Sequence, residues 1–256
     1  MNNNPIGIFD SGIGGLSVLN KIIETLPNEQ YIYYADTDNV PYGLKTNEQI
    51  LQYTKIAVDF LKNKNVKAIV VACNTATSIA IEVLRKENAI PIIGIEPAAK
   101  PAIENRSTKK VLVMATPVTI REKKLKDLIN KLDDEDSVDL IAMPELVKFA
   151  ENEEFESKQV ENYLVESLKG YNLEEYSQIV LGCTHFPFFK KTIQKLFPEN
   201  TEIIDGSYGV ANRLKNILQE NDLLGTNNFE IDYYYSGRRV EDKKELEKFD
   251  RLLDVL

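Results

Sequence analysis

The stretch AIVVACNTATS (68–78) is a short apolar run that ends in Cys73 and passes into small hydroxyl and amide residues with a helical pattern beyond them. A run of this length, rich in β-branched residues, reads as a buried strand. The turn into the helix then falls at the cysteine. QIVLGCTHFPF (178–188) has the same build and carries Cys183, the other of the chain's two cysteines. Two thiols at two equivalent strand ends point to a parallel-sheet α/β protein with a paired site.

Working outward, the same strand–loop–helix unit recurs. IGIF (6–9) runs into DSGIGG (10–15) and then a helical pattern closed by Pro27. Glycines there let the backbone turn sharply and approach a ligand, and the helix start offers free N–H groups to an anion. YIYYA (31–35) runs into the loop DTDNVPYG (36–43). Thr46 and Gln49 have the spacing of a capping box, opening a helix that ends near Asn63. After the strand 68–72 a helix continues to about Asn88, and IIGI (92–95) is a further strand.

From about residue 98 the chain starts again. VLVMA (111–115) is a strand ending in TPVT (116–119), followed by one charged helix to about Leu132 and a solvated acidic turn, DDED (133–136). VDLIAMP (138–144) is a strand, and a Glu-rich helical region extends to Gly170. QIVLG (178–182), a helix ending near Phe197 and the strand TEIID (201–205) complete the second series. A helix from Tyr208, an edge strand within NFEIDYYYSG (228–237) and a terminal helix over 240–256 close the chain. Asp10 and Thr116, Asp36 and Pro144, and Cys73 and Cys183 are three pairs of strand ends at a nearly constant separation of roughly 110 residues. Two similar α/β domains, facing each other with a ligand between the carboxyl ends of their strands, follow from that repetition.

Composition narrows the function. Of 256 residues, 43% are hydrophobic and 28% charged, which suits a globular protein with a sizeable core. A net charge of −9 disfavours binding to nucleic acid and to anionic membrane surfaces. No targeting segment is visible, and no apolar stretch approaches the roughly 20 residues that span a bilayer. The expected location is cytoplasmic, where thiols stay reduced. With one histidine and no CxxC, a metal site is not expected. DSGIGG lacks both the lysine of a P-loop and the spacing of a dinucleotide site, so no nucleotide is expected.

The thiols have bland readings. A buried cysteine is a small hydrophobe, and two cysteines can form a redox pair. Both thiols here, however, lie just past apolar strands and before helix starts, where thiolate is favoured. Two acid/base groups flanking one carbon suit a racemase, which removes a proton from one face and returns one to the other. His185, two residues past Cys183, could tune that thiol or donate to a substrate carboxylate. Asp10 is a turn residue or a contact for a substrate ammonium. Asn74 and Thr75 could cap a helix or hold a ligand, and Thr184 and His185 occupy the same two places after Cys183. Pro41, Tyr42 and Gly43 end a loop. Thr116 and Thr119 suit a helix N-cap. A non-catalytic clamp for an acidic metabolite is the rival class, although it has no need of two thiols.

FDSGIGGLSVL (9–19), ADTDNVPYG (35–43), VVACNTATS (70–78), GIEPA (94–98) and LGCTHFPF (181–188) together resemble the bacterial glutamate racemases of the aspartate/glutamate racemase superfamily. The resemblance covers most of residues 5 to 206. It implies a cofactor-independent enzyme that interconverts L- and D-glutamate, the D form going into peptidoglycan for the cell wall and cell shape. Cys73 and Cys183 match the catalytic cysteines, Cys73 facing D-glutamate and Cys183 facing L-glutamate. Asp10, Glu151 and His185 match polar residues that assist the thiols. Asp10, Ser11, Tyr42, Gly43, Asn74, Thr75, Thr184 and His185 match substrate contacts, with Pro41, Thr116 and Thr119 beside them. The resemblance also implies that the last segment returns to the first unit, making domains of 1–97 plus 208–256 and of 98–207. The chain departs from the pattern at ATPVTIREKKL (115–125) and at Met143-Pro144, where the family often has Cys-Pro. A relative acting on aspartate or another small amino acid would share the two-cysteine logic. A homodimer is compatible with the sequence, which does not set the oligomeric state.

Overall fold

The computed structural model describes residues 2–106, 108–133, 136–226 and 228–256. Asp134 and Glu135 of the acidic turn lie outside the described residues. The first sheet contains β1 (Ile6–Asp10), β2 (Gln30–Ala35), β3 (Ala68–Val71) and β4 (Ile92–Gly94). The second contains β5 (Lys110–Ala115), β6 (Val138–Ala142), β7 (Tyr176–Gly182) and β8 (Glu202–Asp205). The chain then returns to the first sheet with β9 (Glu230–Tyr235) and β10 (Arg238–Arg239). The strand orders are β10-β9-β2-β1-β3-β4 and β6-β5-β7-β8. All pairings are parallel except the antiparallel β10–β9 contact. β9 is therefore not the outermost strand: the two-residue β10 covers it.

The period of two in each strand explains the packing. Ile6 and Ile8 of β1, Val70 of β3, Leu112 and Met114 of β5 and Ile179 of β7 enter one core that is continuous between the sheets. The opposite faces, with Phe9, Ile69 and Val71 on one sheet and Val111, Val113 and Val180 on the other, pack under separate helical layers. Strands buried on both faces read as unbroken apolar runs, as 68–72 and 179–181 do.

Register brings the polar strand ends level. Asp10 pairs with Ala35, and Phe9 with Val71. Ala115 pairs with both Ala142 and Gly182. The residues just beyond these pairs include Asp36, Cys73, Thr116 and Cys183. The helices α1 (Leu16–Thr25), α2 (Asn47–Asn63) and α3 (Asn74–Glu87) follow the first three strands. The Thr46–Gln49 capping box is present, with both reciprocal hydrogen bonds. α4 (Ala99–Asn105) precedes β5.

The second series is more broken than its sequence pattern suggests. The charged helix is two, α5 (Pro117–Arg121) and α6 (Lys123–Leu132), because Glu122 adopts extended backbone. No glycine or proline marks that break. The Glu-rich region is also two helices, α7 (Pro144–Glu151) and α8 (Lys158–Leu168), and Glu153 between them sits at a left-handed φ of 59°. Cys183 is followed by a 3₁₀ turn, Phe186–Phe189, and then α9 (Lys190–Gln194). α10 (Ser207–Glu220) and α11 (Lys243–Val255) pack against α1. Among the described residues no helix is long and apolar enough to cross a membrane.

Candidate active site

Cys73 ends the β3 segment and is itself the N-cap of α3. Its sulfur accepts the Ala76 N–H at 3.4 Å and donates to Ser11 Oγ at 3.6 Å. Of the two roles open to Asn74 and Thr75, capping is taken by neither; the thiol caps the helix. The helix start was also expected to favour thiolate. Burial outweighs it: together with the charge of Asp10, it pushes the Cys73 thiol well above its ordinary range, against the pull of the Ala76 N–H and Ser11. Cys183 departs from its counterpart. It precedes a 3₁₀ turn rather than an α-helix, and its sulfur lies 3.8 Å from His185 Nδ1. Cys73 and Cys183 are only 5% and 6% exposed.

The polar residues predicted around the thiols converge from both sheets. His185 Nε2 meets Glu151 Oε1, at the end of α7, at 2.6 Å. Burial opposes a charged His185, but its hydrogen bonds to Cys183 and Glu151 prevail and hold the imidazole well above its usual range. An imidazolium beside a sulfur stabilises negative charge there. Asp10, at the end of β1, accepts the Gly12 N–H on Oδ1 and the Thr184 hydroxyl on Oδ2, each at 3.0 Å. It is thus both the turn residue expected and a bridge between the sheets. Burial raises its carboxyl to about 6, against the pull of His185.

The anion at the DSGIGG loop turns out to be internal. Glu151 Oε1 accepts the Ile13 N–H at 3.0 Å, so that amide is not free for a ligand. The glycines make this approach possible. A Cβ on Gly12 would lie 1.9 Å from Glu151 Oε1, and one on Gly14 would lie 2.4 Å from His185 Nδ1.

The remaining residues form a polar seam. Thr116 caps α5 as expected, accepting the Thr119 N–H at 3.3 Å. Its hydroxyl also lies 2.9 Å from that of Thr75 and 3.1 Å from that of Thr119. A Cβ on Gly43 would lie 2.8 Å from Thr116 Cβ, so this seam too depends on a glycine. Pro41 follows a cis peptide bond. The Tyr42 hydroxyl is committed to Asp36 Oδ2 at 2.6 Å. Burial and Asp36 both raise Tyr42 far above its ordinary range, so it stays a neutral donor. Asn74 Oδ1 is buried without a hydrogen-bond partner, an acceptor that costs about 1–3 kcal/mol until a donor reaches it. Asn74 and Thr119 line a cavity of about 230 Å³ with Glu96, Glu122 and Lys124. Among the described residues no cluster of three or more His, Cys, Asp or Glu could hold a metal ion.

Residues that motif spacing did not single out also take part. Ser17 Oγ donates to the Thr184 carbonyl at 3.0 Å. The fully buried Tyr33 donates to the Gly12 carbonyl at 2.8 Å. Glu151 lies 34 residues before His185 and 138 after Ile13, and only the family resemblance pointed to it.

A thiol on each sheet, each with its own polar partner, is an arrangement able to exchange protons on two faces of one carbon. Residues 6–211 match the family profile described as Asp/Glu/Hydantoin racemase. The chain belongs to this family. Among its members, a glutamate racemase of Lachnospira eligens is 49% identical over 98% of this chain and 97% of its own length. Glutamate racemase 2 of Bacillus subtilis is 48% identical over 98% of this chain and 96% of its own. The family likeness extends to three dimensions. The crystal structure of the Bacillus anthracis glutamate racemase RacE1 matches with a TM-score of 0.85 at 31% identity, covering 99% of this chain and 94% of that one. The Francisella tularensis glutamate racemase, solved in complex with D-glutamate, matches with a TM-score of 0.83 at 31% identity over 99% of this chain and 95% of that one. The racemase family therefore accounts for nearly the whole chain, the C-terminal return included.

Proposed function

We propose that this protein is a glutamate racemase that works without a cofactor, by proton transfer between Cys73, Cys183 and the α-carbon of glutamate. The names of its near relatives support the substrate. The observation that carries the mechanism is a buried thiol at a strand end of each sheet, each with its own polar partner, Ser11 for Cys73 and His185 for Cys183. Burial and Asp10 raise the Cys73 thiol, and Cys183 faces an imidazole held above its usual range. One thiol and one thiolate are what a two-base reaction needs at its start. With L-glutamate, Cys183 enters as thiolate and removes the α-proton, and Cys73 delivers a proton to the opposite face. D-glutamate reverses the roles. His185 and Glu151 stabilise the Cys183 charge, and Asp10 joins the two halves through Thr184.

Ser11, Asn74, Thr75, Thr116, Thr119 and Thr184 supply substrate contacts, with Pro41, Tyr42 and Gly43 closing the loop over them. The domains are residues 1–97 with 208–256, and 98–207. The return of β9 to β2 supports that division. The enzyme's role is to supply D-glutamate for peptidoglycan in the cytoplasm. The purified protein, given L-glutamate in heavy water without added cofactor, should lose the α-proton signal and optical rotation together. Cys73→Ala and Cys183→Ala should each lower racemisation by about 10³-fold or more. Absence of exchange with both enantiomers would refute the activity, and wild-type turnover in either variant would refute the two-base assignment.

A further inference from the structure

We propose that Tyr33 is a positioning residue for the Cys183 half of the site, acting through a single peptide plane and Glu151. The inference rests on the racemase reading above. Tyr33 lies on β2, in the first sheet, and is fully buried. Its hydroxyl donates to the Gly12 carbonyl at 2.8 Å. The N–H of that same peptide unit, on Ile13, donates to Glu151 Oε1 at 3.0 Å. A trans peptide is planar, with its C=O and N–H on opposite sides, so a donor that fixes the oxygen also fixes the direction of the N–H. Glu151 Oε1 meets His185 Nε2 at 2.6 Å, and His185 Nδ1 meets Cys183 Sγ at 3.8 Å. A hydrogen-bonded chain thus runs from a strand of the first sheet to the thiol of the second.

The surroundings suit that role. The Tyr33 ring is set at steep angles against Tyr233 and Phe249, with both centroids 6.1 Å away. Burial, Asp10 and Glu151 all keep the phenol protonated, so it remains a donor. A Cβ on Gly15 would come within 2.9 Å of the hydroxyl, so the loop leaves room for this bond.

Tyr33→Phe removes the hydroxyl and keeps the ring, and near-UV dichroism checks that the packing survives. The chain has one histidine, so imidazole titration by NMR reports His185 alone. Cys183, Glu151 and Asp10 are the titrating groups that face it. In Tyr33→Phe, His185 should titrate at lower pH than in the wild type, because Glu151 is less firmly held. Turnover should fall about threefold to tenfold with KM little changed. In a Glu151→Gln background the same change should cost less than about twofold, because the route is already cut. An unchanged or raised His185 midpoint, or equal losses in both backgrounds, overturns the proposal. The titration needs no turnover. A protein that failed to racemise glutamate would refute the activity and leave the Tyr33 relay to be judged on His185 alone.

Discussion

Asp10 holds a proton more tightly in the folded chain than in the unfolded one. Its carboxyl is wholly buried and raised from 3.8 to about 6, despite the His185 charge, the Gly12 N–H and the Thr184 hydroxyl. The sign follows directly: this contribution to stability is fully present below the unfolded value and is lost as pH rises through the folded one. At about 1.4 kcal/mol per pH unit, the loss is on the order of 2–3 kcal/mol between pH about 4 and pH about 6. The carboxylate left above pH 6 is a buried charge held by the Gly12 N–H and the Thr184 hydroxyl. Asp10→Asn keeps an acceptor for Gly12 and removes the titration. Urea unfolding of the variant should therefore depend less on pH across that window and give higher stability near neutrality, while racemisation falls. A variant curve parallel to the wild type would show that Asp10 does not titrate there.

At the scale of the element, Cys73 has two duties that pull apart. It caps α3 with a sulfur 3.4 Å from the Ala76 N–H, and the same sulfur is the proposed acid/base. Serine is a better cap than cysteine but a far weaker base at neutral pH. Cys73→Ser should melt no lower than the wild type, and up to about 1 kcal/mol more stable, yet lose about 10³-fold or more in turnover. Thermal unfolding beside an activity assay reads both, and wild-type turnover would remove the sulfur from the chemistry. The strands, the Thr46 capping box and the Thr116 cap were legible because each rests on local pattern: apolar runs and hydroxyls at fixed offsets. The two cysteines were legible because their strands repeat. What was hidden depends on long-range approach. Glu151 reaches His185 and Ile13 from a helix end with no local marker, and Tyr33 looks like any strand aromatic. The break at Glu122 carries no glycine or proline. The rise of the Cys73 thiol was invisible too, because burial, which the motif does not report, outweighs the helix start there.

At the scale of the whole molecule, the site is bounded by contacts between the sheets' loops. Thr184 bonds Asp10, Glu151 bonds Ile13, and Thr116 bonds Thr75. Outside these, Asn47 reaches Glu122 at 3.4 Å, and Lys124 pairs with Glu96. The thiols are 5% and 6% exposed, so an amino acid is expected to reach them when these contacts part. Three of these four hydrogen bonds end on a carboxylate, worth about 1.5–3 kcal/mol each when ionised against about 0.5–1.5 for the neutral Thr116–Thr75 bond, and the exposed ion pair adds little. A ligand that touches both sides would shift any opening equilibrium of these contacts towards the closed form. Thiol alkylation measures that opening. Both cysteines should react more slowly than a free thiol, and bound glutamate should slow both by a similar factor, since each faces the same cleft. Peptide mapping by mass spectrometry resolves the two sites. If glutamate protected Cys73 and left Cys183 reacting at its unliganded rate, the thiols would not share one closing cleft, and the two-sided site would have to be abandoned.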